Sequence, residues 1–122
     1  MPLAGAVLLL SGCSSTQEAD VTDVATTFAD GSVDPAARCD LLVPATLAAF
    51  EESESTPCSD AIARMSADAG AVQSVAVWGG NAQVTLTGDT LFLTETGAGW
   101  RITAAACSKR ADAPYDCEVD GP

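Results

Sequence analysis

The spacing of apolar residues changes at Gly70. Before it they recur every three to four positions, as on one face of a helix; after it they alternate with polar residues, as along a half-buried strand. Val21, Val24, Ala25 and Phe28 fall at i, i+3, i+4 and i+7, and Ser15 with Glu18 has the spacing of a capping box, so a helix is predicted from Ser15 toward Gly31. Asp34-Pro35 opens a second helical piece through Ala36, Cys39 and Leu42, which Pro44 breaks. A third piece runs through Leu47 and Phe50 into Glu51, Glu52 and Glu54, and Thr56-Pro57 restarts a helix through Ile62 and Met65. Past Gly70, the sets Val75/Val77, Ala82/Val84/Leu86 and Trp100/Ile102/Ala104 each read as the inward side of a strand, with Thr90 to Glu95 as a further one. Gly79-Gly80-Asn81, Gly88-Asp89 and Gly97-Ala98-Gly99 have the composition of tight antiparallel turns. The order of elements predicts an α+β domain: N-terminal helices packed on one face of a curved antiparallel sheet of about four strands.

Ahead of the first helix lies a different pattern. The apolar run Leu3 to Leu10 ends in Leu10-Ser11-Gly12-Cys13, which reads as a bacterial lipobox. The run is too short for the ~18 to 20 residues of a membrane-spanning helix and fits the ~7 to 15 residues of a signal h-region. Residues 1–12 are therefore expected to be a lipoprotein signal peptide, with lipid carried on Cys13 and the protein facing outward on the cell membrane. No Lys or Arg precedes the apolar run, and the expectation that follows is a true start upstream of Met1. The competing reading makes the run an N-terminal element of a cytosolic protein, with Cys13 an ordinary buried thiol. In the lipoprotein reading, residues 13–107 form one domain. Residues 108–122, polar and containing Pro114 and Pro122, form a tail stapled by a disulfide.

Charge narrows the partners. With 17 acids against five bases the formal net charge is -12, and the bases are scattered apart from Lys109-Arg110, so nucleic acid is not expected as a partner and anionic lipid head groups should repel the domain. Cys39, Cys58, Cys107 and Cys117 form an even set once Cys13 is assigned to lipid. Four cysteines allow three pairings; the two short closures, Cys39 with Cys58 and Cys107 with Cys117, are favoured. A zinc site competes poorly, because the chain has no His and no CxxC pair.

The absence of His removes triad-type catalysis. A carboxylate base working with a phenol would have to use Tyr115, which is expected to pack on the sheet edge. Among the acids, Asp23 and Asp30 fall on the first helix, Asp23 on its wet face; Glu95 reads first as an exposed position near the Gly97 turn, and the enzyme alternative would need Glu95 or Asp89 to face inward. Asp112, Asp116, Glu118 and Asp120 lack the spacing of a calcium loop, so no metal and no cofactor is expected. Trp78 and Trp100 read first as packing residues. The alternative is an apolar pocket between sheet and helices drawing on Phe28, Phe50, Trp78, Phe92 and Trp100, suited to a small hydrophobic ligand.

Several stretches carry a resemblance: Cys39-Asp40-Leu41-Leu42-Val43-Pro44-Ala45-Thr46, Pro57-Cys58, Asp89-Thr90-Leu91-Phe92-Leu93, Gly99-Trp100-Arg101-Ile102 and Tyr115-Asp116-Cys117. Together with the order of elements, they make the chain resemble a group of small actinobacterial lipoproteins of NTF2-like, or SnoaL-like, cone fold. The resemblance implies fold and location and brings no catalytic residue. The expected function is a lipid-anchored extracytoplasmic binding or accessory module of the cell envelope, serving an envelope protein or a small hydrophobic ligand. The alternative is a cone-fold isomerase or dehydratase acting on an apolar substrate. The acidic Glu51 to Glu54 corner is a further candidate recognition surface.

Overall fold

The computed structural model describes residues 11–65, 69–110 and 114–122, with side chains from Thr16 onward. The Leu3 to Leu10 run therefore lies outside the described residues, as does the Cys13 side chain. Helix α1 (Ser11–Phe28) contains Ser15 within its length, so Ser15 is not the cap that the sequence predicts. Prolines then set the boundaries. Pro35 opens α2 (Pro35–Cys39) and Pro44 opens α3 (Pro44–Glu54), each in the first turn, where its missing N–H has no bond to make. Pro44 starts α3 without ending α2, which stops at Cys39 and leaves Leu42, expected in that helix, in a bridge to Ile102. Helix α3 ends on Ser55 in the left-handed region (φ 53°), and α4 (Cys58–Arg64) follows. Glu51 Oε2 accepts the Cys58 N–H at 2.8 Å, so the half-buried Glu51 caps α4; of the expected solvated run, Glu52 and Glu54 alone are exposed acids.

Five strands follow in a simple antiparallel meander, each beside its sequence neighbours: β1 (Val72–Trp78), β2 (Asn81–Leu86), β3 (Thr90–Thr96), β4 (Gly99–Ser108) and β5 (Asp116–Asp120). The count exceeds the expected four because part of the tail pairs with β4 from Ala104↔Asp120 to Ser108↔Asp116, so the domain runs through residue 120 instead of ending at 107. Gly79, at φ 61°, takes the first central position of the two-residue β1–β2 turn, where a side chain would be strained.

The helices cover one face. Val21, Ala25 and Phe28 of α1, Phe50 of α3 and Ile62 of α4 join Val84, Leu86, Leu91, Leu93, Trp100 and Ile102 in a single core. A bulge at Thr103 then reverses the phase of β4: Leu93 pairs with Ile102 and Phe92 with Ala104, so the inward position passes to Ala105, opposite the buried Val119. Ala104, read from the sequence as inward, lies with Phe92 on the other face. Two disulfides each fasten one layer internally, Cys39 to Cys58 between α2 and α4, and Cys107 to Cys117 across β4 and β5. Among the described residues no helix is long and apolar enough to cross a membrane.

Candidate functional site

The sheet face opposite the core carries a groove of about 580 Å³ with mainly apolar walls. Three separate stretches build it. The Thr103 bulge brings Phe92 and Ala104 side by side as its floor. The start of α3 gives one wall through Val43, Ala45 and Thr46, and the chain around β5 gives the other through Pro114, Tyr115 and Cys117. The Tyr115 ring meets Phe92 edge-on, centroids 5.2 Å apart at 69°, and its hydroxyl lies 3.5 Å from Gln83 Nε2. Tyr115 therefore packs over the interior strands β2 and β3, not on the sheet edge as expected, and it lines the groove.

Hydrogen bonds hold the walls to the floor. Thr103 Oγ1 donates to the Phe92 carbonyl at 3.1 Å, and Thr46 Oγ1, in a residue only 1 % exposed, donates to the Thr103 carbonyl at 3.0 Å. The segment before α3 completes the frame: Ile102 N donates to the Leu41 carbonyl and Val43 N to the Ile102 carbonyl, a parallel bridge that takes over the β4 edge beyond the end of β5. The groove offers apolar surface, a phenol and the exposed acid Asp120, whose Oδ1 accepts the Gly121 N–H.

The expected pocket residues part company. Phe28, Phe50 and Trp100 are buried in the core, Phe92 floors the groove on the opposite face, and Trp78, which alternates with the inward Val75 and Val77, is 52 % exposed. They do not line one cavity, and Trp78 is not a core packing residue.

Of the candidate acids, Asp89 is engaged structurally. Its carboxylate accepts three backbone N–H groups, from Thr90 at 2.6 Å, Cys107 at 2.9 Å and Ala106 at 3.2 Å. Ala106 has φ 56°, rare for a residue with a side chain, and the Asp89 bonds hold that turn of β4 in place. A polar cleft of about 200 Å³ lies beside it, bordered by Met65, Asp89 and Glu118. Glu95 is exposed, as are Asp23 and Asp30. Asp112 lies outside the described residues, and among the described residues no three His, Cys, Asp or Glu side chains gather where a metal ion would need them.

Arg38 escaped the sequence reading, where it was one of the scattered bases. It is 4 % exposed, donates from Nε to the last carbonyl of α1 (Phe28 O, 2.6 Å), and its guanidinium sits 5.5 Å above the Phe28 ring. A cation at a helix C-terminus is favourably placed against the helix dipole. Burial pushes its pKa down, and the nearby Asp30 charge opposes that. Only its position ten residues past Phe28 could have signalled the role, and spacing alone does not identify a carbonyl partner. No family profile, curated protein or solved structure matches this chain.

Proposed function

We propose that the protein is a lipid-anchored binding module on the outward face of a bacterial cell membrane, tethered through Cys13 and taking an apolar group of a ligand or envelope partner in the groove over Phe92. The observation that carries the location is the conjunction of the Cys13 lipobox with two disulfides, bonds that persist in oxidising compartments. The groove supports the binding half: it is open, mainly apolar, and walled by a strand that a covalent bond fixes in place. Membership of the NTF2-like cone group is part of the same proposal, supported by helices lying on one face of an antiparallel sheet.

The isomerase or dehydratase reading draws less support, because Asp89 is committed to three backbone donors and Glu95 lies in solvent. Detergent-phase partitioning tests the anchor: the native protein should enter the detergent phase and Cys13→Ala should stay in the aqueous one, whereas equal partitioning of the two would end the proposal. The groove is tested separately with Nile red, a neutral apolar dye. Its emission should rise with the native protein and not with Phe92→Asp, and an unaltered rise would place the apolar site elsewhere.

A further inference from the structure

The opposite side of the sheet suggests a second surface. Among the described residues β1 has a strand partner on one side only, β2. An antiparallel ladder directs the N–H and C=O of alternate residues to either side. Trp78 and Asn81 close the two-residue turn, so Trp78, Ala76 and Ser74 bond toward β2 and the backbone groups of Val75 and Val77 point to the free edge. Edges of this kind are usually blunted by charge or proline. The β1 sequence Val-Gln-Ser-Val-Ala-Val-Trp has neither, and it carries the exposed large apolar side chains Val72 (38 %) and Trp78 (52 %).

Beside this edge runs a shallow cleft of about 500 Å³ between α1 and β1, lined by Glu18, Ala19, Thr22, Asp23, Thr26 and Val75. Its only charges are negative. A strand laid along β1 would send alternate side chains into this cleft and the others to the outer face beside Trp78. The lining combines the apolar surface of Ala19 and Val75 with the Glu18 and Asp23 carboxylates, a combination that suits the aliphatic stem and cationic head of Lys or Arg. A second copy of this chain is disfavoured as occupant, since each carries a net charge of -12 and β1 itself holds no cation.

We infer that the β1 edge with the α1–β1 cleft is a strand-addition site for an extended, basic segment of a partner protein, with Lys or Arg alternating with apolar residues. The site is separate from the groove and does not depend on the lipid anchor. The test uses the full chain carrying Cys13→Ala and a blocked decapeptide of alternating Lys and Val. The peptide should slow amide exchange at Val75 and Val77, and Glu18→Lys with Asp23→Lys should weaken it about tenfold or more. A peptide of identical side chains, N-methylated at alternate residues so that its inward N–H groups are lost, should bind about tenfold more weakly.

Equal binding of the methylated peptide would reduce the interaction to charge attraction and overturn the proposal. Protection that appears elsewhere than β1, or no binding, would do the same. Protection of Val75 and Val77 by raising the protein concentration alone, with a dimer in sedimentation, would make the occupant a second copy and also overturn it.

Discussion

At one edge of the sheet β5 is joined to β4 by Cys107–Cys117 and by its ladder, and β4 is itself held by the Asp89 carboxylate at Ala106 and Cys107 and by Thr46 of α3 at Thr103. At the other edge β1 has its hairpin to β2, Val75 and Val77 against the core, and an open side. The difference lies in cross-linking and polar contacts, not in buried apolar surface. β5 buries Val119 fully, whereas β1, seven residues long, buries no side chain fully and rests the half-buried Val75 and Val77 on the core. The tight glycine turn sets the register of β1, and no disulfide among the described residues reaches it.

The heaviest blow to this comparison should come from Asp89→Ala. It leaves the Thr90, Ala106 and Cys107 N–H groups without their acceptor and removes what holds Ala106 at φ 56°. With about 1 to 3 kcal/mol for each unsatisfied buried donor, a loss of about 3 to 5 kcal/mol is expected in denaturant unfolding. A midpoint equal to that of the native protein would show that water replaces the carboxylate and that this fastener is dispensable.

Next is Cys107→Ser with Cys117→Ser. Closing a loop over a separation of 10 stabilises by about 3 kcal/mol in the chain-entropy picture, so stability should fall by up to that amount. The location of the loss matters more than its size. Amide exchange at residues 116–120 should accelerate while β2 and β3 keep their protection, and Nile red binding should weaken with the groove wall. Uniform acceleration across the sheet would erase the distinction between the two edges.

Much of this asymmetry was hidden in the sequence for a physical reason. The helices and the first four strands were legible because Pro35, Pro44 and Pro57 punctuate one period and the glycine turns punctuate the other. In Asp-Cys-Glu-Val-Asp the alternation holds, but with one buried aliphatic residue it reads as a polar tail. The Thr103 bulge left no mark, since a register shift depends on the partner strand, and it carried Ala104 to the face opposite the one its alternation predicted. The groove was invisible for the same reason, being assembled from three distant stretches on the face opposite the one expected to bind. Asp89 was seen as a turn residue and candidate acid, and its three acceptor bonds needed β4 beside it. Trp78 was a different failure: its alternation with Val77 already put it on the outer face, and its size was allowed to outweigh its phase.

A smaller effect separates packing from hydrogen bonding at the fastened edge. A Cβ on Gly121 would stand 3.1 Å from Thr46 Oγ1, the hydroxyl that bonds the Thr103 carbonyl. Gly121→Ala should cost about 1 kcal/mol in the native background and close to nothing once Thr46→Ala has removed both the hydroxyl and its bond. Additive losses in that cycle would mean that residue 121 and α3 do not touch in solution.

The smallest effect belongs to a turn that touches neither edge and so provides their common baseline. Asp30, after α1, accepts the Ser32 hydroxyl at 2.7 Å and the Ser32 N–H at 2.9 Å. These two bonds, the hydroxyl first, hold its pKa below the ordinary aspartate value; slight desolvation works against them, and the Arg38 charge adds the least. A carboxyl whose folded pKa is depressed stabilises the fold above its unfolded pKa and loses that contribution as pH falls through the folded value. In a titration followed by carboxyl NMR shifts, Asp30 should therefore reach its midpoint on the acid side of the ordinary value, and Ser32→Ala should move it back up. At fixed neutral pH, amide exchange at β1 and β5 should be the same in Ser32→Ala as in the native protein. If the midpoint ignores Ser32 while β5 exchange responds to it, the turn and the fastened edge are coupled through Arg38 and α2, and the contrast between the two edges would then include the helical layer as well as the strands.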